Sequence, residues 1–375
     1  MISNIQALRA FAAAAVVFYH TDFHFNGDVH TEFQGVAIFF VISGFIITYI
    51  TRSKTEGFLV NRATRVVPLY WAMTLFLIVF GWLLSATALA VRNLTHADPI
   101  PQCIFCHIWT WLSDGDNIVK LAKSLFFIPY TNASGDPQPL LGVGWTLNLE
   151  VLFYVIFAIS LQIRAAAAPL LACGVLIGLK LLKWIAWPDG PAPLYVDFYS
   201  QEYTTFFVLG VACFYIWRFL ASRGLLHQYR TPLILAASIV IALFFLVHTG
   251  VLRLVDGAPA QRLLFFAFPP AIVLLALILH SIDIRVTSRI VIMLGDASYA
   301  LYLLHTIVFE LMRPFWRRFP AADPKYAVIP MIVAVATCCV LALVVHYFVE
   351  KPMIAGLRRA RRRTASERAT AADTR

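Results

Sequence analysis

Two ionisable residues, Arg9 and His20, interrupt an apolar segment near the start of the chain. The segment from Leu8 to His20 otherwise has the composition of a membrane-spanning helix. The two side chains are eleven residues apart, which puts them on nearly the same helix face about 16 Å apart along the axis. Burying charge in hydrocarbon is costly, so a shared face favours a protein-lined cavity with a functional role.

Three other ionisable residues, Glu150, Asp296 and His305, lie in similarly apolar segments. With a cytoplasmic N-terminus, the predicted spans put His20, Glu150 and His305 at a similar depth on the outer side. Imidazole exchanges protons near neutral pH, so this grouping favours proton-transfer chemistry. The alternative for Glu150 is a charge that stabilises a helix N-terminus. The alternative for Asp296 and His305 is polar packing between helices.

A cationic pair, Arg62 and Arg65, precedes Pro68 at the start of the third predicted span. Residues at i and i+3 are neighbours on a helix surface. The planar guanidinium donates several hydrogen bonds at once and is well suited to phosphate. The pair is therefore either a phosphate site at the inner end of the cavity or ordinary cytoplasmic charge next to a membrane helix.

The composition is that of a membrane protein. Of 375 residues, 60% are hydrophobic and 13% are charged, with a mean hydropathy of +0.77, whereas a soluble domain carries about 25% charged residues. The net charge of +10 could suggest nucleic-acid binding, but seven of the 30 Lys and Arg residues lie between Arg358 and Arg375. A basic tail after a last membrane helix is typical of a cytoplasmic anchor to anionic lipid, so no nucleic-acid partner is expected.

The apolar runs predict an all-α polytopic bundle of about ten transmembrane helices. One transmembrane domain covers residues 1–352, with an outer loop at about 86–144, and a basic cytoplasmic tail covers 353–375. The distribution of Lys and Arg puts both termini in the cytoplasm, with loop 312–325 as an exception. The predicted spans are 5–21, 33–51, 66–85, 145–163, 166–186, 203–220, 231–251, 263–281, 290–311 and 326–350.

The outer loop contains Cys103, Cys106 and His107 in the C-x-x-C-H pattern of c-type haem attachment. A disulfide or an unreactive cysteine pair is the alternative, and the oxidising outer side favours it. The spacing of His, Cys, Asp and Glu elsewhere suggests no metal site. A short interfacial helix is predicted from Leu121 to Tyr130. The Glu350-Lys351-Pro352 sequence is expected to end the last span.

Taken together, these segments resemble the acyltransferase-3 family of bacterial inner-membrane O-acyltransferases that modify polysaccharides and lipid-linked glycans. The resemblance covers essentially the whole chain, and within the family the chain is most similar to short exopolysaccharide-modifying members. One departure is Asn61, where the family often has a basic residue. The resemblance is carried, in order, by Arg9-x10-His20, Gly35 to Thr48, Phe58 to Trp71 with Arg62-x-x-Arg65, Trp145 to Tyr154, Leu294 to His305 and His346 to Pro352.

The resemblance implies transfer of an acetyl or other short acyl group from cytoplasmic acyl-CoA to a sugar hydroxyl, with acyl-CoA as a substrate and no permanently bound cofactor. It implies that Arg62 and Arg65 bind the donor's nucleotide end and that Arg9 and His20 are essential. His20 would be a general base or a transient acyl acceptor. Glu150 would orient His20 or offset its charge, and Arg9 would support the donor arm or an oxyanion.

The rival interpretations are a transporter or flippase for a lipid-linked sugar, and a protein that only moves the acyl group outward for a separate transferase. A transporter is expected to show inverted repeats or paired broken helices, and the sequence shows neither. The cytoplasmic Arg62 and Arg65 pair beneath Arg9 and His20 favours the acyltransferase. The expected partners are acyl-CoA, a glycan or lipid-linked oligosaccharide acceptor and membrane lipids.

Overall fold

The computed structural model describes residues 2–26, 34–95, 113–132, 134–248, 259–316 and 324–373. Within these ranges the chain forms helices and no strands, as the all-α prediction requires. The α-helices are α1 (Ser3–Asn26), α2 (Gly35–Thr51), α3 (Phe58–Thr95), α4 (Gly115–Leu125), α5 (Trp145–Arg164), α6 (Ala168–Ala186), α7 (Leu194–Tyr199), α8 (Thr204–Ser222), α9 (Leu225–Gln228), α10 (Arg230–His248), α11 (Pro259–Ser281), α12 (Arg289–Asp296), α13 (Ser298–Trp316), α14 (Pro324–Val345) and α15 (Lys351–Asp373).

By length and composition, six helical stretches in the described part of the chain could cross a membrane, or seven if the bent pair α12 and α13 is one span. The predicted number of ten is therefore not confirmed, although each predicted segment overlaps a helix. One stretch, Gly142–Ala186, is 45 residues long and contains α5 and α6, which pack against each other. A bilayer core needs about 20 residues, so this stretch is long enough for two crossings.

The centre of the bundle is built around α1 and α2, and α2 packs extensively on α8. Gly44 of α2 faces Gly210 of α8, and a Cβ at Gly44 would collide with the carbonyl oxygen of Phe207. Small residues allow such close backbone approach between membrane helices. This contact holds one face of α2 against α8, and another face of α2 lines the cavity described below.

Helices α12 and α13 meet at a bend of 72°. Gly295, just before the bend, packs so closely on the backbone of Gln6 in α1 that a side chain there would clash. Ser298, the first residue of α13, is fully buried. The bend therefore brings the start of α13 against α1 at the level of Arg9.

The described ends of the predicted outer loop contain helices. Helix α3 continues to Thr95, ten residues past the predicted span end, because residues 86–95 include further helix-forming Ala and Leu. The predicted interfacial helix exists but occupies Gly115–Leu125, capped by the Asp114 side chain. Its end is held by Trp71, whose indole Nε1 donates to the Leu125 carbonyl at 2.8 Å.

The sequence predicted that the last span ends at Glu350-Lys351-Pro352, but the chain remains helical through these residues. Residues His346–Glu350 form a π-helical turn that leads directly into α15. Lys351 and Pro352 are the first two residues of α15, and the Lys351 N–H donates to the carbonyl of His346, five residues earlier, which is the bond of a π turn. Helix α15 packs on α3, so this part of the predicted tail has a defined position.

Candidate functional site

A cavity of about 100 Å³ lies between α1, α2, α3, α5 and α13. Its walls contain four of the residues predicted to do chemistry, although these lie far apart in the sequence: Arg9, Arg62, Arg65 and Glu150. The other lining residues are Val36, Phe39, Phe40, Ile42, Ser43, Ile46, Ile47, Val66, Thr146, Leu147, Tyr154, Ser298, Tyr299 and Tyr302.

One wall of the cavity is apolar and belongs to α2. Val36, Phe39, Ser43 and Ile46 follow each other at intervals of three or four residues, so they lie on one helix face. Ser43 is the polar residue in this row. An apolar wall opposite charged groups suits a ligand with a flexible, weakly polar arm and a charged end.

Arg9 is fixed by the start of α13. Its Nε and Nη2 atoms donate to the Ser298 hydroxyl at 3.2 and 3.0 Å. A guanidinium has five N–H donors, so three donors remain on a side chain that lines the cavity. Glu150 and Glu350 are the carboxylates whose charges act favourably on Arg9, whereas the nearby Arg65 opposes them.

Glu150 is held by α2 and by its own helix. Its Oε1 atom accepts from Ser43 Oγ at 3.0 Å and from the Tyr154 hydroxyl, one turn further along α5. These bonds fix the carboxylate beside the arginines of the cavity. Within the described residues, Glu150 forms no hydrogen bond with His20. Its charge acts on Arg9, so Glu150 is placed to balance arginine charge.

Arg62 and Arg65 line the cavity on α3. The Arg62 guanidinium lies 6.0 Å from the centre of the Phe58 ring, a cation–π distance. Within the part of the chain that the structure describes, neither arginine forms a salt bridge with a carboxylate. Two guanidinium groups in a cavity wall that form no salt bridge within the described residues are well suited to an anionic ligand.

His20 and His305 contact each other outside the residues that line the cavity, with ring centroids 4.8 Å apart. His305 is fully buried and His20 is partly exposed. The Nδ1 atom of His20 lies 2.9 Å from the carbonyl oxygen of Val16. A carbonyl only accepts, so Nδ1 carries the proton and the lone pair of the neutral ring is on Nε2. His20 is thus held in the tautomer whose Nε2 can accept a proton.

Tyr302 separates the cavity from the two histidines. It lines the cavity, and its ring centroid is 5.9 Å from that of His305. Its hydroxyl donates to the Val143 carbonyl at 3.0 Å and is hydrogen-bonded to Thr146 Oγ1 at 2.8 Å. Tyr302 therefore ties the start of α5 to α13 where the cavity approaches the histidines.

Asp296 lies outside the cavity wall. Its carboxylate accepts a hydrogen bond from the Gln6 amide and so joins the end of α12 to α1. This contact gives Asp296 a place in helix packing, the alternative that the sequence left open. Cys103, Cys106 and His107 lie outside the described residues.

Sequence reasoning missed a buried pair in the π-helical turn. The Nδ1 atom of His346 lies 2.7 Å from Glu350 Oε2, and both side chains are buried. The negative charge of Glu350 also interacts favourably with the Arg9 guanidinium. An ionisable i, i+4 pair at the end of an apolar run is the signal that could have identified it, and π-helical turns are frequent at functional sites.

Comparison with known proteins identifies the family. The model of an acyltransferase domain matches residues 2–349. The exopolysaccharide production protein ExoZ of Rhizobium meliloti is 29% identical over 347 residues, covering 90% of this chain and 94% of that protein. The peptidoglycan O-acetyltransferase OatA of Listeria monocytogenes is 25% identical over 378 residues, covering 94% of this chain but only 56% of that protein.

A third relative, nodulation protein 10 of Rhizobium leguminosarum bv. viciae, is 33% identical over 181 residues, which is 43% of this chain and 44% of that protein. No solved structure matches the chain. The family match extends over nearly the whole helical bundle and includes every residue of the cavity wall. The chain therefore belongs to the acyltransferase-3 family and is an acyltransferase with several helices able to cross a membrane.

Proposed function

We propose that this protein transfers an acetyl or other short acyl group from cytoplasmic acyl-CoA to a sugar hydroxyl of a surface or exported polysaccharide or lipid-linked glycan. The observation that carries the proposal is the arrangement of one cavity. Arg62 and Arg65, which form no salt bridge within the described residues, line it together with an apolar face of α2. Tyr302 connects this lining to His305, which contacts His20. The relatives named for exopolysaccharide production and peptidoglycan O-acetylation support a polysaccharide acceptor.

The donor would enter from the arginine end. Acyl-CoA has phosphates at one end and a thioester at the end of a long, flexible arm. Arg62 and Arg65 would bind the phosphates, since guanidinium groups match phosphate oxygens in charge and geometry. The arm would then lie along the apolar face of α2 and carry the thioester toward Tyr302 and the histidines.

Arg9 is better placed along the donor arm than at the reacting carbonyl. Ser298 holds its guanidinium at the start of α13, whereas His20 contacts His305, about two helical turns further along α13. Its three remaining donors would hold polar groups of the arm. Glu150 and Glu350 would keep the three arginines of the cavity from repelling one another when no anion is bound.

His20 would act as the general base. Its Nε2 would take the proton of the sugar hydroxyl while the hydroxyl oxygen attacks the thioester carbonyl. The tetrahedral intermediate would collapse with cleavage of the carbon–sulfur bond, and the departing sulfur would take the proton from the imidazolium. The products are the O-acyl sugar and free CoA, so atoms and charge balance.

This scheme requires a bacterial inner membrane with both termini in the cytoplasm. Arg62, Arg65 and α15 would then face the compartment that contains acyl-CoA, and His20 and His305 would face the outer side. The abundance of Arg in α15 fits the rule that cytoplasmic segments of membrane proteins are rich in Lys and Arg.

The test uses inverted membrane vesicles, radiolabelled acetyl-CoA and the native glycan, and compares the wild type with His20→Ala. His227→Ala is the matched control because His227 is exposed on the short helix α9. Label in the glycan with wild type and control, but not with His20→Ala, supports the proposal. Equal labelling by His20→Ala would exclude His20 as the base. No labelling by expressed wild type with its glycan present would exclude acetyl-CoA as the donor.

A further inference from the structure

The C-terminal helix α15 lies outside the residues matched by the family and contacts α3 next to two arginines of the cavity wall. The family match ends at residue 349, whereas α15 covers Lys351–Asp373. The helix packs on α3, and Nη1 of Arg361 donates to Oδ1 of Asn61 at 2.8 Å. These residues are 300 positions apart in the sequence, so only the fold brings them together.

The backbone of the preceding turn makes room for Arg361. Gly57 has a φ of +62°, a conformation that residues with a side chain rarely adopt. A Cβ at Gly57 would also collide with the Arg361 guanidinium. Gly57 and the Asn61 amide together form a seat for the exposed guanidinium.

This seat lies next to the two arginines of the cavity wall. Asn61 directly precedes Arg62 and is one helical turn from Arg65, on the same side of α3. Arg65 is in turn close enough to Arg9 for their charges to interact. Arg361 is thus linked through Asn61 to the part of α3 that carries Arg65, and Arg65 lies near Arg9.

The bond to Asn61 leaves Arg361 able to bind an anion. The amide oxygen uses one of five N–H donors and brings no negative charge. Among the described residues, no carboxylate forms a salt bridge with Arg361. A Lys or Arg at position 61 would instead repel it. The neutral side chain on α3 thus permits α15 to supply a positive charge.

We propose that Arg361 is a third phosphate-binding arginine of the donor site, supplied by α15 to the nucleotide end of acyl-CoA. This inference rests on the proposed function and adds a residue and an element to it. Arg361, Arg62 and Arg65 would contact different phosphate oxygens at the cavity mouth. The helix beyond the family match is then part of the donor site.

The experiment compares Arg361→Ala with Arg363→Ala in purified protein reconstituted into vesicles. Both changes remove one exposed arginine from α15, but Arg363 lies about 200° around the helix axis from Arg361. Each variant is assayed with acetyl-CoA and with S-acetylpantetheine, which has the thioester arm but no phosphate. Thermal unfolding of each variant checks that α15 remains folded.

For Arg361→Ala we expect a roughly tenfold rise in KM for acetyl-CoA, the size of one lost charge-assisted hydrogen bond. We expect little change in kcat, and no change with S-acetylpantetheine. Arg363→Ala should match wild type with both donors. Adding Asn61→Arg to Arg361→Ala should restore part of the lost affinity, because the charge returns to the same place on α3.

Different results separate this inference from the proposed function. A wild type that does not use acetyl-CoA would contradict the proposed function. An active wild type with equal KM values for Arg361→Ala and Arg363→Ala would overturn the role of Arg361 alone. A defect that affects both donors equally, and appears only when phosphatidylglycerol is added to phosphatidylcholine vesicles, would assign Arg361 to a lipid headgroup and also overturn it.

Discussion

The cavity arginines differ in how firmly the protein holds them. Arg9 gives two hydrogen bonds to one buried hydroxyl, that of Ser298. Arg62 lies over an aromatic ring, and Arg65 has no salt bridge among the described residues. A guanidinium that is already positioned loses little conformational entropy when a ligand binds. Arg9 is therefore suited to orientation, and Arg62 and Arg65 to initial capture of an anion.

Ser298→Ala should reduce transfer activity without removing any charge. The substitution deletes the acceptor of both Arg9 bonds, and each hydrogen bond to a charged group contributes about 1.5–3 kcal/mol. We expect at least a tenfold fall in kcat/KM for acetyl-CoA. Because Ser298 acts through Arg9, adding Arg9→Lys should cost less than the sum of the two single effects. Additive effects in this double-mutant cycle would contradict the coupling.

Arg62→Ala and Arg65→Ala should each raise the KM for acetyl-CoA about tenfold, since each removes a charge-assisted contact to phosphate. Arg223→Ala is the control: Arg223 lies 5.7 Å from the Phe219 ring, much as Arg62 lies over Phe58, but does not line the cavity. Steady-state kinetics with acetyl-CoA and S-acetylpantetheine provide the measurement. A similar loss with S-acetylpantetheine would mean that the arginines do not bind phosphate.

The sequence predicts the charged residues of the site better than their partners. Arg62 with Arg65, and Arg9 with His20, are recognisable because helical spacing puts each pair on one face. Ser298 is 289 residues from Arg9, and Ser43 is 107 residues from Glu150. Serines are common in membrane helices, so no local pattern marks these two. The role expected for Glu150 beside His20 stays a prediction, because the contacts of Glu150 are with Ser43 and Tyr154.

At the scale of elements, two faces of α2 make contacts that shape the site. One face forms the apolar wall of the cavity, and the other packs on α8 at Gly44 and Gly210. Because protein interiors are close-packed, a change on one face of a helix is transmitted to the other. The width of the cavity therefore depends on how closely α2 and α8 approach each other.

Gly44→Ala should destabilise the protein by about 1–3 kcal/mol, the usual cost of overpacking. The new methyl group would meet the backbone of α8 and push α2 toward the cavity. We expect a lower unfolding temperature in detergent and weaker binding of acetyl-CoA. Gly178→Ala in α6 is the control, since nothing lies within 4 Å of a Cβ there. Equal unfolding temperatures for the two variants would contradict this account of the contact.

The pattern of apolar residues predicted the helices, but not the bend or the π-helical turn that interrupts them. The apolar runs indicate each helix that contributes to the cavity, because hydrophobic length is what a bilayer requires. The bend between α12 and α13 depends on Gly295 packing against the distant Gln6 backbone. The π-helical turn at His346–Glu350 also continues into α15, although the nearby proline suggested an end. Such features depend on tertiary contacts that a local pattern does not contain.

At the scale of the whole molecule, the proposed function divides the site into an anion-binding part and a proton-transfer part. Arg361, Arg62 and Arg65 would belong to the first, and His20 and His305 to the second. The polar donor does not cross hydrocarbon unaided. A bundle that binds it at one end and the acceptor at the other performs transfer across the membrane without transporting either substrate.

Sealed vesicles test this division directly. External acetyl-CoA should label glycan in sealed inverted vesicles, whose cytoplasmic face is outward, but should not label intact right-side-out vesicles. The product inside inverted vesicles should resist added esterase until detergent is supplied, because the acceptor is on the opposite side. Labelling of intact right-side-out vesicles by external donor would reverse the proposed orientation. Label accessible to esterase before detergent would place both substrates on one side.

The π-helical turn also has a consequence for the angle at which the last helix leaves the bundle. Such a turn accommodates one more residue than an ordinary α-helical turn, and each residue of an α-helix advances the chain by about 100°. If the same residues formed an ordinary α-helical turn instead, α15 would be rotated by about that angle, and Arg361 would no longer face Asn61. The turn thus sets the rotational phase of a helix whose contact with α3 lies more than ten residues away.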